Sequence, residues 1–415
     1  MASKKTPKLN PIAAAMHDEL LDYEELRAEH EALDDVELYG EKAVRWYQFA
    51  TRSQTVHGFV TLGYKRILVA LPTGAGKTLT TGIIFNDPEL RKFLGLSNVI
   101  DKKTGTYKRK MRILFIAHKH RLLSQADRTF AHDNGVELIL QSAFSDIPAD
   151  VLEKGWDLTV LDEAHHEAMS TLQYKLEDMT MNSKSKLGFI PMVGLTATYD
   201  RADGLMIKFD MIVEPISREQ AVAEGWLAPT NLYSFVDPTM SNDKVQILTA
   251  ILKDYHHLMG RTMVFVKTKA EVAVITDFLI GMGKRAIGIT NMSEKQLDNV
   301  LTQFSNGEWD FIVNCNKINE GVDVAGCDSV LLGRTYGSYP QLNQVIGRAA
   351  RPDSECNVFE LVNPLSVNNL DTTVVTGTPE KHLLIFKKGG VWIEKEFDYT
   401  ADSANDVFNS TTLAA

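Results

Sequence analysis

Cysteine is scarce in this 415-residue chain: there are three, Cys315, Cys327 and Cys356, and none forms a Cys-x-x-Cys pair. That excludes a disulfide framework or a cysteine-rich zinc module and fits a reducing, cytoplasmic setting. Long apolar runs are also missing. None approaches the ~20 residues needed to cross a bilayer, so no membrane partner is expected. The basic N-terminus is followed by Ile12–Met16, too short for a signal-peptide core. Positive charge is in deficit, with 44 Lys and Arg against 54 Asp and Glu and a formal net charge of −10. That balance argues weakly against nucleic acid, because binding needs only a local basic track.

What is present is a soluble globular composition, 44% hydrophobic and 24% charged, with length for roughly three domain-sized units. Much of the acid lies between His17 and Glu41, where Leu20, Leu21, Tyr23, Leu26, Leu33, Val36 and Leu38 suggest one or two amphipathic helices. These read as a solvated accessory segment outside the main core, or as a dock for a protein partner.

The chain is organised around Leu71-Pro-Thr-Gly-Ala-Gly-Lys-Thr78. The β-branched run Arg66–Ala70 before it reads as a buried strand, and Leu79–Phe85 after it continues as a helix. Strand, glycine loop and helix N-terminus together bind phosphate. Pro72, Thr73, Gly74, Ala75 and Gly76 form the loop, whose N–H groups converge on an anion at the positive end of the helix dipole. Lys77 can reach the β- and γ-phosphates, and the Thr78 hydroxyl can ligate Mg²⁺. Leu71 stands where the full pattern asks for glycine, so an ordinary glycine-rich turn is the bland alternative. The strand before and Gly-Lys-Thr at the helix start favour a nucleotide site.

A second strand, Leu158–Leu161, ends in Asp162-Glu-Ala-His165 at the same sheet edge. Asp162 can hold Mg²⁺ and Glu163 can polarise the attacking water. A metalloprotease would need His-Glu-x-x-His, and Ser170 occupies the closing position after His166-Glu-Ala-Met. Upstream, Ala43–Gln48 is expected to open a helix running toward Phe59 with Arg45 and Gln48 on one face. A glutamine amide can pair with the N6 and N7 edge of adenine. Strands at Ile113–Ala117 and Glu137–Ser142 end in polar turns, and Met192–Thr198 ends in hydroxyl residues. Basic residues gather at Lys102, Lys103, Lys108, Arg109 and Lys110 and suggest a nucleic-acid contact; their crossover enters the next strand away from the ligand edge, which slightly favours a solvated hairpin.

Glu214–Asp237 reads as a connecting segment. A second alternation of strands and helices follows without its own phosphate loop. In it, Gly321 and Asp323 follow a buried strand, and Gln344, Arg348 and Arg351 recur at helical spacing on one face. Two guanidiniums and an amide so placed suit a triphosphate, although in isolation a solvated basic helix is the better explanation. A hairpin is expected over Leu383–Ile393 around Gly389-Gly390.

Arg-x-Tyr-Gln, Pro-Thr-Gly-Ala-Gly-Lys-Thr, Asp-Glu-Ala-His, Leu-Thr-Ala-Thr, Glu-Gly-x-Asp and Gln-x-x-Gly-Arg-x-x-Arg occur here in order. Over residues 43 to 362 the chain closely resembles the superfamily 2 helicases and translocases, most of all their DNA-directed branch of restriction subunits, excision-repair helicases and phage recombination helicases. The resemblance implies an α/β protein of two tandem RecA-like parallel-sheet domains with ATP in the cleft between them. The expected divisions are an acidic extension (1–40), a first domain (41–229), a second domain (230–365) and a C-terminal tail (366–415). It further implies that Arg45 and Gln48 contact adenine, that Thr196 and Thr198 couple hydrolysis to motion, and that Gly321 and Asp323 approach the nucleotide. Gln344 would serve beside Arg348 and Arg351, the arginine fingers. ATP and Mg²⁺ are the implied cofactors, and DNA with a single-stranded portion is the implied partner of a monomer. An RNA helicase, or a DNA-stimulated ATPase that remodels a protein partner, remain the alternatives.

Overall fold

The computed structural model describes residues 20–101, 107–118, 123, 126–127, 129–130, 135–164, 185, 187–197, 209–236, 244–315, 326–349, 355–362 and 370–397. They form two compact units, one made chiefly of residues up to Ile216 and the other of residues from Ser217 onward.

The first unit begins with helix α1 (Tyr23–Glu31), capped by Asp22, whose carboxylate accepts from the Glu24 N–H at 2.7 Å. A short antiparallel pair, β1 (Leu38–Tyr39) and β2 (Lys42–Ala43), leads to α2 (Trp46–Val60). Then come β3 (Arg66–Ala70), α3 (Lys77–Phe85), α4 (Pro88–Phe93), β4 (Met111–Ala117), β5 (Val136–Ser142), α5 (Ala149–Lys154), β6 (Leu158–Leu161), β7 (Met192–Thr196) and β8 (Met211–Val213). The six longer-range strands pair in parallel in the order β5-β4-β6-β7-β3-β8. Ile67, Leu68, Val69, Ile113, Leu114, Val160 and Leu161 are all fully buried, as central parallel strands covered on both faces require.

Two expectations for this unit change. The acidic segment is not merely accessory. Leu26 is buried, the Leu21 N–H donates to Gln54 Oε1 at 3.0 Å, and His30 Nε2 lies 3.1 Å from the Val44 carbonyl. The basic crossover is only partly solvated. Arg91 is fully buried, donates to the carbonyls of Arg109 (2.9 Å) and Gly135 (3.3 Å), and stacks on Tyr107. Ile100 and Tyr107 bridge in antiparallel sense, as a hairpin requires; Lys102 and Lys103 lie outside the described residues.

The second unit holds α6 (Arg218–Ala223), β9 (Thr230–Val236), α7 (Lys244–Tyr255), β10 (Thr262–Phe265), α8 (Lys269–Gly281), β11 (Ala286–Ile289), α9 (Glu294–Ser305), β12 (Phe311–Asn314), β13 (Ser329–Leu332), α10 (Tyr339–Ile346), β14 (Cys356–Val362), α11 (Thr373–Thr376), β15 (Lys381–Lys388) and β16 (Val391–Glu396). Its eight strands run β11-β12-β10-β13-β14-β9-β15-β16, parallel except for the last pair. Alternate residues feed opposite faces. Met263, Phe265, Val330 and Leu332 pack with Leu297, Val300, Leu301 and Phe304 of α9. Val264, Val266, Leu331 and Phe359 pack with Leu248, Ile251 and Leu252 of α7 and Val272, Ile275 and Leu279 of α8. Reciprocal capping boxes start α8 (Thr268 with Glu271) and α9 (Ser293 with Gln296).

Two stretches that the sequence treats as peripheral are structural here. Part of the expected connector is β9, which lies between β14 and β15 and buries Leu232 and Phe235. The expected tail supplies β15 and β16, joined at Gly389 and Gly390, both left-handed (φ 59° and 85°), as a tight hairpin turn demands. Trp392 donates to Asp254 at 2.7 Å, and the Tyr255 hydroxyl donates to Glu394 at 2.8 Å.

Candidate functional site

β3 ends at Ala70, and the chain turns into the glycine loop before α3 begins at Lys77. Gly74 and Gly76 have φ of 92° and 87°, the left-handed region that favours glycine. The Ala75 N–H donates to the Pro72 carbonyl at 3.0 Å, closing the turn. The Leu71 N–H donates to the Thr196 carbonyl at 3.1 Å and so fastens the start of the loop to the end of β7. Lys77 Nζ donates to the Leu71 carbonyl at 3.3 Å, and Thr78 follows in the first turn of α3.

Asp162 follows β6 at the same C-terminal edge, and its N–H donates to the Ile116 carbonyl at 2.9 Å. Burial, and then the neighbouring Glu163 charge, push its carboxyl up to about 7 against the opposing pull of Lys77. A half-buried acid with so costly a negative charge is suited to a bound cation. The hard oxygens of Asp162 and Thr78 match Mg²⁺, which takes one or two protein ligands and fills the rest from phosphate and water. Glu163 has φ 52°, the one positive value among the described non-glycine residues, a strained geometry of the kind that collects at functional positions.

Arg45 and Gln48 are arranged differently from the sequence expectation. Ala43 belongs to β2 and α2 starts at Trp46, so Arg45 (φ −87°, ψ 154°) is the extended residue before the helix and shares no helical face with Gln48. Its N–H donates to Gln48 Oε1 at 3.0 Å, and its guanidinium donates to the Tyr47 hydroxyl at 2.8 Å. Gln48 is buried, and its Nε2 would lie 2.9 Å from a Cβ placed on Gly76. The amide therefore stands against the phosphate loop.

In the second unit α10 ends at Ile346. Gln344 is buried in it, while Arg348 lies in the following turn, whose N–H donates to the Val345 carbonyl at 3.2 Å. The helix that carries Gln344 thus ends two residues before Arg348. Gln344 Oε1 is buried without a hydrogen-bond partner among the described residues. Arg351, Gly321, Asp323, Thr198 and His165 lie outside the described residues.

Residues 243–353 match the helicase conserved C-terminal domain. The chain is 25% identical over 387 residues to IRC3 of Saccharomyces cerevisiae, named as an ATP-dependent helicase, covering 82% of this chain and 54% of that protein. In these two respects it is similar to the superfamily 2 helicases and translocases. Its fold is that of an HsdR fragment assigned to a type I restriction enzyme of Vibrio vulnificus (TM-score 0.60, 20% identity, 92% of this chain and 75% of the other). The DNA-bound type ISP restriction-modification enzyme LlaBIII is similar in fold as well (TM-score 0.58, 13% identity, 82% of this chain and 30% of the other). The chain spans about half the length of the curated relatives it matches.

Sequence reasoning missed the Leu71–Thr196 tie, the strained Glu163 and the contact of Gln48 with Gly76. The first two are backbone features that leave no residue-type signature; the third depends on where α2 packs. No helix among the described residues is long and apolar enough to cross a membrane.

Proposed function

We propose that the chain is an ATP-driven nucleic-acid motor that hydrolyses ATP to move along or unwind DNA. The observation that carries the reading is the left-handed glycine loop at the end of β3, with Lys77 beside a half-buried Asp162 at one sheet edge. In this reading the loop N–H groups and Lys77 bind the phosphates, Gln48 reads adenine, and Thr78 and Asp162 hold Mg²⁺. The metal neutralises charge on the phosphate oxygens. Glu163 orients the attacking water, and Arg348, Arg351, Gln344, Gly321 and Asp323 keep the roles that the resemblance implies. The choice of DNA over RNA rests on the resemblance of the ordered motifs to the DNA-directed branch. Three free thiols, all buried, suit a reducing cytoplasm, and a monomer is sufficient for the chemistry.

A second reading has its own observation. Leu33, Val36 and Leu38 are 46%, 71% and 61% exposed among Asp34, Asp35 and Glu37, which supports a protein partner there and an ATPase that remodels it. Titrating ATP turnover with single-stranded DNA, duplex DNA, forked DNA and RNA separates these. Stimulation by DNA carrying a single strand is expected. Stimulation by RNA alone would replace the DNA reading, and turnover stimulated by DNA with no separation of the forked strands would favour the remodelling ATPase.

A further inference from the structure

β5 is the edge strand of the first sheet, and its C-terminal turn, residues 142–146, is held with unusual firmness for an exposed segment. The Gln141 side chain is buried. Its amide N–H₂ donates to Ser145 Oγ (2.8 Å) and to the carbonyls of Ser142 and Ser145 (both 3.0 Å). The Ala143 N–H donates to the Ala117 carbonyl at 2.9 Å, tying the turn to the end of β4. The Phe144 N–H donates to Ser142 Oγ at 3.3 Å. This fixed turn presents Phe144 to solvent, 68% exposed, with the His118 ring edge-on at 5.5 Å.

A single exposed apolar side chain is ordinary. Three features set this one apart. The ring stands on a clamped turn, where ordering has already been met by backbone and amide bonds. It stands at the C-terminal edge of a parallel sheet, where ligands gather. Its neighbours Ser142, Ser145 and Asp146 are polar, which suits a flat aromatic ligand with a hydrophilic rim better than an apolar peptide. The order β5-β4-β6-β7-β3 separates it from the phosphate loop by four strand spacings, about 19 Å. Phe144 is thus too far along the edge to serve the nucleotide held by that loop, and an extended polymer is the ligand that would reach it.

We infer that Phe144 is a base-stacking platform for a single nucleic-acid strand, with His118 holding the ring in place. The inference rests on the nucleic-acid reading above and adds a base contact to it. Stacking is tolerant of sequence, because every base has a π-face, so it would add affinity without selecting a site.

The test compares wild type, Phe144→Ala and Phe144→Trp by fluorescence anisotropy on four labelled probes. These are oligothymidylate, oligouridylate, an abasic deoxyribose-phosphate strand of equal length and a blunt duplex. Melting temperatures report folding, and a surface aromatic should leave them unchanged. Phe144→Ala should lose roughly 5- to 100-fold in affinity for the base-bearing strand that wild type prefers. It should bind the abasic strand as wild type does, and Phe144→Trp should restore the loss. Equal affinity of wild type and Phe144→Ala for the base-bearing strands would overturn the inference, as would an equal loss on the abasic strand. Failure of wild type to bind any of the four probes would remove the proposed function and the inference together.

Discussion

Gly76 is the residue at which the phosphate loop and the glutamine ahead of it meet. Its φ of 87° costs a non-glycine residue about 1 kcal/mol, and an added Cβ would press on Gln48 Nε2 at 2.9 Å. Gly76→Ala should therefore lower nucleotide affinity by roughly tenfold or more while the melting temperature falls only slightly, since a 1 kcal/mol change shifts it by a few degrees in a unit of this size. Titration of a fluorescent ATP analogue, with melting of the same samples, checks this; wild-type affinity would mean that the loop does not bind the nucleotide. The loop was legible from sequence because its chemistry is local: glycines, a lysine and a hydroxyl at fixed spacing after an apolar run. Arg45 was misread because the chain leaves β2 extended. The backbone there uses the Gln48 amide as the acceptor for an N–H that a helix would have bonded internally.

Among elements, strands rich in β-branched residues with turn residues at both ends were legible. β3 to β7 fall within about two residues of expectation, the usual uncertainty of element ends. β9 was not. Thr230, Asn231, Tyr233 and Ser234 interrupt its apolar pattern, and their burial becomes favourable only through partners far along the chain. Asn231 Nδ2 donates to Asn357 Oδ1 at 2.9 Å, and Ser234 Oγ donates to Glu360 at 2.6 Å and lies 2.9 Å from His382 Nε2. This polar seam joins β14, β9 and β15, and it makes stability depend on pH. Burial lowers the His382 pKa to about 4, against an ordinary value of 6.5. Between those values the unfolded chain takes up a proton that the folded chain refuses, so stability is fully present above about 6.5 and falls as pH drops toward 4. Glu360 is pushed the other way, above its usual range by burial, and its contribution weakens as pH rises instead. Replacing His382 by Gln should flatten the fall in melting temperature between pH 6.5 and 4.5. An unchanged slope in H382Q would show that the imidazole is not the group responsible.

At the scale of the whole molecule, each unit has its own buried core, and the N-terminal acidic segment belongs to the first of them. Its charge pattern reads as a solvated face, and charge does dominate its surface. What the pattern cannot display is that three side chains reach inward. Leu26 is 5% exposed, Tyr39 is 8% exposed and lies against Gly82 of α3, and burial pushes the Tyr23 hydroxyl up to about 12. Glu37 adds an ion pair with Arg52 of α2. The segment thus supports α3, the helix whose first residues are Lys77 and Thr78. A protein beginning at Gly40 should melt at a lower temperature and bind ATP more weakly, because a Cβ-free position built to receive the Tyr39 ring would face water instead. Leu26→Ala isolates packing from the loss of the whole segment and should cost about 2–3 kcal/mol, the low end for a buried leucine because α1 lies at the periphery of the unit. Chemical denaturation of Leu26→Ala and an ATP titration of the shortened protein settle the matter independently. If both match the intact chain, the segment is a passenger, and its buried Leu26 and Tyr39 contribute nothing to the unit that holds the phosphate loop.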